Sequence, residues 1–213
     1  ELQKNFYKES FDINKFIDNI DNLINKIIKE NTSNKKISSK YYPSERHLFS
    51  SAITPQGVIS YLDEISKQYK NRYIVLGQLS NLTSLILHKL AKRAKEIGYY
   101  VLYLHSTCKP NEIDGIVIPG LHLTAINGSF PKNIKYDSNK VTVINIDMYL
   151  NKNKSNEKQL KYLDKIIETN IEKAIFELKK AKKTHDKLEK HYINSMNFEK
   201  LNNFTNKTIN DLF

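Results

Sequence analysis

Apolar residues recur every three or four positions near the start of the chain, at Ile13, Phe16, Ile17, Ile20, Leu23, Ile24, Ile27 and Ile28. That spacing predicts an amphipathic helix over residues 12–30. The stretch 31–39 is almost wholly polar and reads as a linker. A globular segment opens at Tyr41, with Pro55 and Gly57 as punctuation and a short amphipathic helix predicted over 58–69. The period then changes. Arg72-Tyr-Ile-Val-Leu-Gly77 is a short apolar strand closed by glycine. Residues 83–97 turn Leu85, Ile86, Leu90 and Ala94 to one side, and Gly98 stops that helix. Strands follow at 99–105, 115–118, 121–126 and 140–147. Strand–helix–strand order with nearly continuous apolar strands predicts an α/β fold, a parallel sheet covered by helices. From Ser155 to about Met196 a single long stripe runs through Leu160, Leu163, Ile166, Ile167, Ile171, Ala174, Ile175, Leu178, Ala181 and Leu188. A second helix over 198–213 is expected to fold back.

The chain also repeats itself. Tyr7-Lys-Glu-Ser10-Phe-Asp12-Ile-Asn-Lys15-Phe16 matches Tyr192-Ile-Asn-Ser195-Met-Asn197-Phe-Glu-Lys200-Leu201 at one constant offset. Tyr, Ser and Lys are identical, Asp12 faces Asn197, and the apolar positions agree. One copy precedes the globular middle and the other follows it. The simple expectation is a larger two-repeat protein, and a chain opening on Glu1 rather than Met agrees with a fragment. The parts are then 1–40, the helical tail of a preceding repeat with its linker; 41–150, the α/β domain; and 151–213, a helical appendage. Residues 1–30 are expected to pack apart from the α/β core or along its edge.

Composition narrows the class. With 213 residues and 39% hydrophobic content, one core and an appendage can be built. No apolar run nears the roughly 20 residues of a spanning helix, so no membrane partner is expected. A lone cysteine, Cys108, excludes an internal disulfide framework and suits a reducing compartment, so a cytoplasmic location is expected. The net charge of +11 would suit nucleic acid, but the excess is scattered lysine, and arginine occurs only at Arg46, Arg72 and Arg93. A solvated lysine surface explains it better than a nucleic-acid interface.

The candidate chemistry lies between the first strand and its helix. Gly77-Gln-Leu-Ser-Asn-Leu82-Thr83-Ser84 occupies the place of a phosphate loop of the form GxxxxGK[ST]. Gly77 fills the first glycine and Ser84 the closing hydroxyl. Leu82 replaces the second glycine, whose lack of a side chain lets N–H groups curl toward phosphate oxygens. Thr83 replaces the lysine that reaches the phosphates. A charge-assisted hydrogen bond is worth roughly 1.5–3 kcal/mol, and Thr83 cannot supply one.

The segment Arg46-His-Leu-Phe-Ser-Ser-Ala52-Ile-Thr-Pro55-Gln-Gly57 resembles the opening motif of a family of uncharacterised P-loop ATPase-like proteins from spore-forming Firmicutes. The likeness continues at Gly98–His105, at Pro110-Asn-Glu-Ile-Asp114-Gly-Ile-Val-Ile-Pro119, at Ala125-Ile-Asn127-Gly-Ser129-Phe-Pro131, and at 183–192 with 197–200. It implies a P-loop NTPase-like three-layer core, with a second P-loop repeat preceding this one as its partner. It also implies ATP and Mg²⁺ as cofactors of members whose loop is intact. Where such members carry Asp, this chain has Asn127; where they carry His it has Lys132; and Leu82 and Thr83 stand for glycine and lysine. An acid at the end of an apolar strand would hold the Mg²⁺ shell, and Asn127 has no charge for it. Asp147 is the acid left at a strand end. Asp114 begins its apolar run and is expected at the opposite edge of the sheet. The vestigial site thus comprises Gly77, Gln78, Ser80, Asn81, Thr83, Ser84, Asn127 and Asp147, with His105 nearby at the end of its strand. No cofactor, metal or catalytic residue is expected on this chain.

None of the six histidines has metal-binding spacing. A hydrogen-bonded structural role is favoured for His105. Cys108 reads as a plain loop cysteine, with Lys109 beside it as the one group able to lower its pKa. The reading is a degenerate P-loop domain with a structural or regulatory role, able to meet a second copy or another protein through the 155–213 helices. Its rivals are a working ATPase or kinase, whose active loop lies here in altered form or in the other repeat, and a nucleic-acid-binding module.

Overall fold

The computed structural model describes residues 12–32, 45–77, 80–129, 136–137, 139–149 and 157–212. Gln78, Lys132, the linker beyond Thr32 and the Tyr7–Phe11 half of the repeat lie outside them. Helix α1 (Ile13–Asn31) comes first. It is followed by β1 (Glu45–Phe49), β2 (Ser51–Thr54) and β3 (Gly57–Ser60), helix α2 (Leu62–Lys67) and β4 (Asn71–Leu76). Next come helix α3 (Ser80–Glu96), β5 (Val101–His105), β6 (Ile113–Ile118), β7 (Leu123–Asn127) and β8 (Thr142–Asn145). Helices α4 (Glu157–Ser195) and α5 (Phe198–Leu212) close the chain.

Six strands make one sheet in the order β1-β5-β6-β7-β4-β8. All run parallel except β6, which is antiparallel to both its neighbours. The exception follows from loop length. Only the tight turn 119–122 joins β6 to β7, and a parallel pair needs a crossover of a dozen or more residues. His122 takes a left-handed φ of 47° there, and its N–H closes on the Pro119 carbonyl at 2.9 Å.

Alternating strand residues face two helical layers. On one face α1 and α3 bring Phe16, Ile20, Ile24, Ile86 and Leu90 against Tyr73, Val75, Ile116 and Ala125. On the other, Leu62 of α2 packs with Ile74, Leu104, Val117 and Ile126. Helix α1 is therefore a layer of the α/β core rather than a tail along its edge. It pairs Asp21 with Lys89 of α3 at 2.6 Å, and its Asn31 donates to the Tyr73 hydroxyl at 2.8 Å. The boundary at residue 40 does not divide the core.

The predicted helix over 58–69 is split. Thr54 and Gly57 close a β2–β3 hairpin, where Gly57 has a φ of 123° and the Thr54 hydroxyl accepts the Gln56 N–H at 3.1 Å. Only 62–67 is helical. Helix α4 passes the β2–β3 hairpin. At 39 residues it spans about 58 Å. Ile167 and Leu178 on it are exposed, and Ile171 is half-buried. None of the described helices is long and apolar enough to cross a membrane.

From Asp12 and Asn197 onward, where both copies of the internal repeat are described, the local geometry is the same. Asp12 caps α1 by accepting the Lys15 N–H at 3.1 Å, and Asn197 caps α5 by accepting the Lys200 N–H at 3.0 Å. A short polar side chain at this position satisfies a backbone donor that the first helical turn leaves open. The Asp/Asn correspondence and the identical spacing to lysine thus encode one helix start used twice.

Candidate functional site

The C-terminal ends of β4 and β7 meet the N-terminus of α3, the edge where ligands settle in open α/β sheets. The structure gathers Gly77, Ser84, Asn127 and Asp147 at this edge, together with Asp114. Three residues, 77–79, separate β4 from α3. Helix α3 starts at Ser80, one turn before the predicted Thr83. Residues Ser80, Asn81, Leu82, Thr83 and Ser84 are helical instead of forming a cradle. Leu82, Thr83 and Ser84 are buried. The apolar Leu82 turns into the core. The Ser84 hydroxyl accepts the Ile113 N–H at 3.0 Å, so it fastens α3 to β6. The Thr83 hydroxyl is buried and has no hydrogen-bond partner among the described residues.

Gly77 is needed here for space. Its φ is not in the left-handed region. A Cβ at this position would overlap the side chain of Ile146, from the 3-10 turn Ile146–Tyr149 that follows β8. Ile146 is buried. The Gly77 N–H is itself taken by the Ser129 hydroxyl at 3.1 Å. Asp147 stands on the same turn, with its backbone N–H on the Asn145 side chain at 2.9 Å. Its carboxylate lies 3.5 Å from the place of a Gly77 Cβ.

Asn127 is fully engaged. Its Oδ1 accepts the Ser129 N–H at 3.0 Å and its Nδ2 donates to Asp114 at 3.4 Å. The antiparallel course of β6 places Asp114 here, so the expectation of the opposite edge is corrected. Burial pushes the Asp114 carboxyl up from its ordinary range, against the opposing hydrogen bonds of Ser106 and Asn127. One of its oxygens, Oδ2, has no hydrogen-bond partner among the described residues. An amide at 127 donates to that carboxylate, whereas a second carboxylate would repel it. Asn127 is thus suited to its neighbour Asp114 rather than to a metal shell.

Lys109 is the cation that sequence reasoning did not place. From the loop after β5 it donates to the Ser80 hydroxyl at 3.0 Å and approaches Glu112 at 3.4 Å. No spacing rule links residues 29 apart across two loops, so the sequence carried no signal for it. The Cys108 thiol is pushed up by burial and by Asp114, and Lys109 offsets only part of this.

His105 does not join the site, because β6 and β7 lie between β5 and β4. Its Nδ1 contacts the Pro110 carbonyl at 2.6 Å and its Nε2 contacts His47 Nδ1 at 2.7 Å. A carbonyl can only accept, so Nδ1 of His105 carries the proton. In neutral His105 the Nε2 atom then accepts from His47. The pair is a strand-edge hydrogen-bond chain, in which His47 stacks on Tyr103 at 4.7 Å. On α4, ligand atoms of His185, Asp186 and Glu189 lie within 4.8 Å of one another. Asp186 is already paired with Lys182 at 2.8 Å, and helical spacing alone brings such groups together. No family model, curated protein or solved structure matches this chain.

Proposed function

We propose that this chain is a structural α/β unit of P-loop-like descent whose phosphate site has been filled by its own side chains, and that it acts as a scaffold rather than as a nucleotide hydrolase. One observation carries the reading: α3 begins three residues after β4, and Ile146 occupies the space over Gly77. A phosphate cradle needs a loop whose successive N–H groups converge on one anion. Here five of the eight loop positions, Ser80 to Ser84, are helical, and three of those five are buried. Asp114 stands at the same edge, and Lys109 there is already shared with Glu112.

Titration calorimetry with ATP·Mg²⁺ tests the reading, on the parent chain and on the double variant Leu82→Gly/Thr83→Lys. Both are expected to give no binding heat at millimolar nucleotide. The variant restores loop chemistry without restoring a loop. Micromolar affinity in the parent, or strong binding gained by the variant, would refute the reading.

A further inference from the structure

The exposed apolar face of α5 has a counterpart whose partner is visible, namely α1. The repeat aligns the two helices at a constant offset, with capping side chains Asp12 and Asn197 in the same hydrogen bond to Lys15 and Lys200. Continued along the helices, the offset sets the buried α1 residues Phe16, Ile20, Ile24 and Ile27 against Leu201, Thr205, Ile209 and Leu212. Three of the four stay apolar, and Ile24-Asn25 recurs as Ile209-Asn210. In α1 these positions are at most 4% exposed, against α3 and the 3-10 turn after β8. In α5 the same phase is open: Leu201 is 43% exposed, Ile209 50% and Leu212 70%. None of the side chains of α5 is buried. Asp21, which pairs with Lys89 on the rim of the α1 seat, corresponds to Asn206, whose carbonyl can still accept from a lysine. The off-face position also corresponds. Phe204 aligns with Asn19, which faces solvent in α1.

We infer that α5 is the seating helix for a second α/β unit of this fold. It would lie in the groove between that unit's equivalent of α3 and its turn after β8, as α1 lies here. The occupant is therefore another copy of the α/β architecture with that groove open, not a membrane or an unrelated extended peptide. A helix with apolar residues at 201, 209 and 212 and the small Thr205 between them presents the same narrow stripe that this groove already accepts. The inference does not depend on whether the strand-end site binds nucleotide.

The test grafts α5 into the seat that can be measured. In the full chain, residues 13–28 are replaced by the sequence of 198–213, and thermal unfolding is followed by circular dichroism. A second graft carries aspartate at the positions of Leu201 and Ile209, and a third carries aspartate at that of Phe204. The plain graft is expected to melt cooperatively within about 10 °C of the parent. The Phe204→Asp graft should match it. The Leu201→Asp/Ile209→Asp graft should lose a further 10 °C or more, on the order expected for two buried charges. If the plain graft is as damaged as the double-aspartate graft, α5 does not fit the groove and the inference falls. It falls equally if Phe204→Asp is as harmful as the on-face pair, since α5 would then be read from another side.

Discussion

If Gly77 is a packing glycine rather than a relic of phosphate binding, its cost on mutation must be coupled to Ile146. Adding one methyl group in Gly77→Ala places a carbon inside the contact distance of Ile146 Cγ1 and Cδ1. The Ile146 side chain is almost fully buried, so it cannot swing out into solvent. Either it leaves its rotamer or the 3-10 turn backs away from β4, a cost of about 1–3 kcal/mol. Ile146→Ala alone opens a cavity and costs about 2–5 kcal/mol. The double variant places the new methyl group in the space that the isoleucine has vacated. Its loss should therefore be smaller than the sum of the single losses by about 1–2 kcal/mol. Urea unfolding followed by far-ultraviolet circular dichroism, with one m value across the cycle, measures this directly. Losses that add to within about 0.5 kcal/mol would refute the packing account and leave Gly77 needing another explanation.

Three further outcomes follow from named contacts. Phe16→Ala removes a side chain with no exposed surface that meets the Tyr149 ring edge-on at 5.4 Å. It should lower the melting temperature by about 6–20 °C, while Phe204→Ala on α5 should leave it within a degree or two. Equal effects would mean that α1 is not part of the cooperative core. Asp114→Asn should stabilise the chain at neutral pH by about 1–2 kcal/mol, because the charged form is buried with an unpartnered oxygen. Burial raises the folded-state pKa of Asp114, so its favourable contribution is present at low pH and lost as pH rises through that value. The advantage of the variant must therefore shrink between pH 7.5 and 4.5, and a gap that widens on acidification would contradict the assignment. Leu82→Gly/Thr83→Lys should cost at least about 3 kcal/mol in chemical denaturation, since it removes a buried leucine and inserts an ammonium group where Thr83 has no exposure.

Much of the architecture was legible because it depends on local periodicity. The stripe from Phe16 to Ile28, the apolar run 72–76 and the alternation of 101–105 each reported their own element. The direction of β6 was legible only in the shortness of the 119–122 turn, and that one reversal moved Asp114 from the far edge to the side of Asn127. The absence of lysine and glycine at 83 and 82 signalled a site without its usual chemistry. It did not signal that α3 would start a turn early and turn those positions into core, since this depends on Leu82 finding an apolar neighbourhood made by distant strands. Lys109 on Ser80 and Ile146 on Gly77 are contacts between segments 29 and 69 positions apart. No pattern in a single sequence specifies them. The repeat was visible as letters, and its meaning as a shared helix cap followed from the Asp12 and Asn197 hydrogen bonds.

The closure of the strand end is tested most directly by amide hydrogen exchange over residues 76–90, with and without millimolar ATP·Mg²⁺. A helix starting at Ser80 bonds the Ser84 N–H to the Ser80 carbonyl, so protection should be in place by Ser84 and run unbroken along α3. The account predicts that this profile is the same in both conditions. Fast exchange through residues 84–86 in the free chain, slowed by added nucleotide, would show a loop that folds around phosphate and would contradict it.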